Sequence, residues 1–103
     1  MESIVTKYTD YCLLCGAERE AMHHCIPGNA NRAKSDKYKL VVPLCNFHHN
    51  LGPNSAHTNV ALGTALKIIG QLAFEKEYYR NELQYSDDPA RDKFRKEFGK
   101  SFV

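Results

Sequence analysis

The sequence predicts a small α+β domain, with two short strands and a helix stapled by a metal ion and further helices after them. Three observations carry that expectation. All four cysteines and all five histidines fall between Cys12 and His57. Two stretches within that window, Ala21 to Ile26 and Lys39 to Leu44, have the composition of short strands. Beyond His57 the apolar residues Leu62, Ala65, Leu66, Ile69, Leu72, Ala73 and Phe74 recur at helical period.

At 103 residues the chain is expected to form one domain, 1–103, with the motif-bearing part at about 12–60 and a helical tail over 60–100. A domain of this size gains from a staple. Residues 1–20 hold no apolar run of signal-peptide length and nothing approaches a membrane span, so the expected setting is a reducing cytoplasm. In that setting four clustered cysteines bind metal rather than pair as disulfides. A formal charge of +2 does not by itself imply a nucleic-acid partner.

Taken in order, residues 1–11 alternate weakly at Ile4, Val5, Tyr8 and Tyr11, as an edge strand or an ordered arm would. Cys12-Leu13-Leu14-Cys15-Gly16 reads as a knuckle whose backbone N–H groups point at the sulfurs, with Gly16 supplying a positive φ. The strand from Ala21 stops at the breaker pair Pro27-Gly28. Strict alternation sends His23 and His24 to opposite faces, so a shared site requires the strand to twist or end there. Asn29 to Lys37 reads as a polar loop without an apolar period. The second strand is closed by Pro43, near its end, where a missing N–H costs least.

A helix is expected from Cys45, interrupted at Leu51-Gly52-Pro53-Asn54-Ser55 and restarting near His57 or Thr58 as cap. The stripe from Leu62 to Phe74 is expected to be core. Asp88 and Pro89 form an N-cap and N1 pair for a last helix, with Phe94 and Phe98 at i and i+4 and Gly99 at C′.

Cys12-x2-Cys15 and Cys45-x2-His48 offer four soft or borderline ligands in two pairs, which suits tetrahedral structural zinc. Cys25 is left over and reads as a small buried thiol. Arg32, Lys34, Lys37 and Lys39 stand against Asp36 alone between Asn29 and Val42.

The remaining histidines, His23-His24 on the first strand, His49 directly after the last zinc ligand, and His57, give residues 12–60 a pattern that resembles the ββα-metal fold of HNH endonucleases, and the whole layout is similar to small phage-encoded members. The resemblance implies a general base at His24. It also implies a catalytic metal, Mg, Mn, Ni or Zn, held by His23, His49 and His57. A metal-dependent DNA endonuclease or nickase then follows, with the four basic residues contacting phosphates and with DNA as partner in the cytoplasm of a host cell.

Two departures accompany the match. Where the family's asparagine usually stands, this chain has Leu40, and seven residues separate His49 from His57, a wider gap than the family's. These favour the alternative of a non-catalytic zinc module that binds nucleic acid or a protein partner, for example an anti-CRISPR type of phage inhibitor of a host defence nuclease. A purely structural zinc domain used for oligomerisation is the third reading.

Overall fold

A computed structural model describes residues 2–81 and 89–103. Two strands, β1 (Ala21–His24) and β2 (Val41–Leu44), pair antiparallel, with Ala21 opposite Leu44 and His24 opposite Val41. Between them runs a helix, α1 (Asn29–Lys37). A π-helical turn spans Phe47–Leu51, and two helices follow, α2 (Val60–Asn81) and α3 (Pro89–Phe98). The class is the small α+β arrangement expected.

The knuckle docks on β2. Leu13 N–H donates to the Pro43 carbonyl at 2.8 Å and Glu20 N–H to the Leu44 carbonyl at 3.0 Å. Gly16 takes φ 78, as a tight knuckle turn requires. The N-terminal segment is an ordered arm rather than an edge strand. Ser3 Oγ donates to the Val41 carbonyl at 2.5 Å, Ile4 N–H to the Lys39 carbonyl at 3.0 Å, and Ile4 and Val5 pack on the core.

The expected loop 29–37 is instead helix α1. Its only buried residue is Ser35, whose Oγ donates to the Ile26 carbonyl at 3.0 Å. A helix with one buried position shows no apolar period, although Ala30, Arg32, Ala33, Lys34 and Lys37 favour helix intrinsically. Tyr38 at its C-cap packs edge-on to Phe74, 5.1 Å between centroids. Lys39 then takes φ 58, and β2 begins only at Val41.

The aromatic end of the core joins Phe74, Phe94 and Phe98, with Phe94 and Phe98 stacked at 4.6 Å. Gly99 takes φ 88 just past α3. The expected Asp88 cap lies outside the described residues.

The α2 stripe is core only in part. Leu66 and Phe74 are buried and Leu62 and Ala73 half-buried, but Ala65, Ile69 and Leu72 are exposed. The buried seam runs instead through Leu66, Gly70, Gln71, Phe74 and Glu75. Its polar members are satisfied. Gln71 Nε2 donates to Glu75 and to Ser101 Oγ, each at 2.8 Å, and Gln71 Oε1 accepts from Phe102 N–H at 2.7 Å. Arg91 closes on Glu75 at 3.2 Å. Paired in this way, Gln71 and Glu75 can be buried without the penalty of an orphaned polar group. Gly70 sits where α2 meets Cys25, so close that a Cβ there would lie 2.6 Å from Cys25 Cβ. No helix among the described residues is long and apolar enough to cross a membrane.

Candidate metal centre and histidine cleft

Cys12, Cys15, Cys45 and His48 come together, with their ligand atoms all within 4.8 Å of one another. Cys15 Sγ lies 3.8 Å from Cys45 Sγ, and His48 Nδ1 lies 3.3 Å from Cys45 Sγ and 3.8 Å from Cys12 Sγ. One tetrahedral zinc spaces its thiolates about 3.8 Å apart and a thiolate and imidazole about 3.6 Å apart. The donor set and its spacing therefore fit a zinc ion.

Burial works to raise the Cys12 thiol, but backbone N–H groups of Cys45, Leu14 and Cys15 outweigh it and bring the thiol below its usual range. Such N–H groups favour the thiolate that a metal needs. Cys25 stands apart as the expected buried thiol, pushed up to about 12 by desolvation.

Cys45 and His48 sit at the start of the irregular helix. Glu20 fastens that start, accepting from both Asn46 N–H and Asn46 Nδ2 at 3.0 Å. The turn is π-helical, with Gly52 N–H donating to the Phe47 carbonyl at 2.9 Å. Such wide turns are rare and recur at functional sites.

The insertion after His49 loops out and returns. Ala56 N–H donates to the His48 carbonyl at 2.7 Å and His57 N–H to the His49 carbonyl at 3.2 Å. Thr58 Oγ1 ties the base of the loop, meeting Ser55 Oγ at 2.5 Å and the Gly52 carbonyl at 2.9 Å. His57 is thereby brought back over His49. Helix α2 restarts with Asn59, not His57 or Thr58, as its cap, since Asn59 Oδ1 accepts from Leu62 N–H at 3.0 Å.

The result is a second cluster, His23, His49 and His57, also within 4.8 Å. His57 Nε2 lies 3.1 Å from His49 Nε2. That separation suits one ring donating to the other, and it equally suits two ligands of one ion, which lie roughly 3.0–3.4 Å apart. His23, 4% exposed, adds a third nitrogen within the same 4.8 Å, so the three rings could hold one ion.

Desolvation, helped by His57, His49 and His24, lowers His23 to about 4, and desolvation followed by His57 and His24 lowers His49. Both rings are thus held neutral near pH 7, the form that coordinates. Three imidazoles fit zinc, manganese or nickel better than magnesium.

β1 ends at His24, which reconciles the adjacent histidines with one site: His23 and His24 both line a cavity of about 230 Å³ with His49, His57 and Arg32. His24 Nε2 lies 2.9 Å from Asp36 Oδ1 on α1. A carboxylate oxygen only accepts, so Nε2 carries the hydrogen and Nδ1 is the basic nitrogen of the neutral ring. Asp36 carries no sequence signal for this role, being twelve residues away on a stretch read as loop.

The four expected phosphate contacts disperse. Arg32 faces the histidine cavity. Lys34 Nζ donates to the Glu97 carbonyl, Lys37 Nζ lies 5.1 Å from the Tyr38 ring centroid, and Lys39 pairs with Glu2 at 2.5 Å. No protein-family model, curated protein or solved structure matches the chain.

Proposed function

We propose that the chain is a metal-dependent phosphodiesterase of the ββα-metal, HNH type, acting on DNA as an endonuclease or nickase. One observation carries the reading: three histidines from β1, the π-helical turn and the loop after it converge beside a fourth histidine that is oriented by a carboxylate. In this reading His24 Nδ1 takes the proton of the attacking water, and Asp36 stabilises the imidazolium that forms. His23, His49 and His57 would hold a divalent ion, which when bound would supply Lewis-acid charge at the phosphate and the departing 3′ oxygen. Cys12, Cys15, Cys45 and His48 hold a structural zinc that fixes the turn carrying His49. Incubating the zinc-loaded chain, dialysed free of excess metal, with supercoiled plasmid and Mg, Mn, Ni or further Zn in turn tests this. Nicking that depends on added metal supports it, and an inert chain under all four refutes it.

Leu40 favours a second reading, a zinc-stabilised module that binds nucleic acid or a protein without cutting. Leu40 is fully buried in the core cluster, and its carbonyl accepts from Cys25 N–H at 2.9 Å. Leu40→Asn therefore places an amide in the core and costs about 2–5 kcal/mol from the lost packing alone, so it destabilises the chain rather than improving any activity.

A further inference from the structure

A second cavity, of about 210 Å³, adjoins the histidine cluster and is lined by Asn59, Thr64 and Lys67 among others. The two cavities share His23, Pro27 and His57 in their linings, with Arg32 of α1 lining the first and Lys67 of α2 the second. Among the described residues neither cation has a carboxylate within ion-pair distance. Lys67 Nζ lies 5.5 Å from the Phe102 ring centroid, a contact that steadies the side chain without cancelling its charge. By contrast, Lys39 is paired with the Glu2 carboxylate, and Lys34 Nζ is turned away to the Glu97 backbone carbonyl.

We propose that these two cavities form a DNA-backbone groove in which Arg32 and Lys67 hold phosphates beside the histidine cluster. It rests on the nuclease reading and deepens it by placing the strand. Two cations lining the cavities beside the histidine cluster, without a carboxylate partner among the described residues, suit a ligand whose charge repeats along a line, and each phosphate neutralised releases condensed counterions. Lys67 enters as a binding residue although it lies outside the run of basic residues in the sequence.

The test uses the His24→Ala chain, which keeps DNA intact, and a fluorescein-labelled DNA duplex, with affinity measured across a salt series. Arg32→Ala and Lys67→Ala should each reduce the slope of log Kobs against log salt by about 0.9, and the double variant by about 1.8. Lys67→Arg should restore the slope, Lys39→Ala should leave it alone, and thermal melts should show every variant folded. An unchanged slope in Lys67→Ala, or an equal drop in Lys39→Ala, overturns the groove. If that happens while the wild-type chain nicks plasmid, only the groove fails. If the slopes change as expected but the wild-type chain nicks nothing, the nuclease reading fails and the groove stands.

Discussion

Replacing Gly70 by Ala probes the contact that seats α2 against Cys25, the residue just past β1. A Cβ at this position would lie 2.6 Å from Cys25 Cβ and 3.3 Å from its Sγ. Two effects oppose each other. Removing a glycine from a helix interior gains about 1 kcal/mol, whereas overpacking a filled core costs about 1–3 kcal/mol. The obstructing atom is a Cβ fixed to the backbone just past β1, held by the Cys25 N–H bond to the Leu40 carbonyl, so a rotamer change cannot relieve it and the cost belongs in the upper half of its range. The net loss is then about 1–2 kcal/mol, which at about 4–8 °C per kcal/mol lowers Tm by about 4–16 °C. Thermal and urea unfolding of the zinc-loaded chain, followed by circular dichroism, reads it. Adding Cys25→Ala should not rescue the variant, because alanine keeps the Cβ. A Gly70→Ala chain that melts higher than wild type would refute the packing argument, since an exposed helical glycine behaves that way.

The chain should carry one tightly bound zinc through its cysteine-rich cluster, and Cys12→Ser should lose it and unfold, because structural zinc contributes about 10–16 kcal/mol in small domains; normal folding without zinc contradicts this. Asp36→Asn should lower kcat about 10-fold with KM unchanged, well short of the 10⁴ for a buried triad aspartate, because this side chain is 58% exposed. Nitrogen-15 shifts should show the His24 tautomer changing with it, and Asp36→Glu should recover part of the rate; a lower Tm with kcat intact would mark the pair as structural only. Cys25 keeps its proton to about pH 12 when folded, while an unfolded thiol loses its own near 8.5, so this residue makes stability fall as pH rises through that window. Cys25→Ala should flatten the decline in urea midpoint between neutral and alkaline pH; an identical decline in both chains rules it out.

The Cys12, Cys15, Cys45 and His48 cluster was legible because both pairs sit at x2 spacing and because thiolate and imidazole are the chemistry zinc takes. The end of β2 at Leu44 was legible from Pro43, but β1 stops at His24 rather than running to Ile26 before Pro27-Gly28. What stayed hidden lies in closure and in polar burial. Sequence spacing leaves open whether the segment between His49 and His57 loops out or carries His57 away, and backbone hydrogen bonds from Ala56 and His57 settle it. Helix α1 shows no period since Ser35 alone is buried. The α2 seam was misplaced toward Ile69 and Leu72 because Gln71 and Glu75, buried in satisfied pairs, read as surface residues. Asp36 and Lys67 have no local pattern at all; only the fold brings one to His24 and the other to the cleft.

In the proposed nuclease a structural metal and a catalytic histidine cluster are separate, and parallel metal analysis and plasmid nicking of three chains distinguish them. Wild type should nick with added metal. His49→Ala should keep the zinc of the cysteine-rich cluster but lose binding of a second divalent ion, and nicking with it. His24→Ala should keep both metals and fold yet nick about 10²–10⁴-fold more slowly, the usual worth of a general base. A His24→Ala chain that nicks as fast as wild type, or a His49→Ala chain that retains the second metal, contradicts the account.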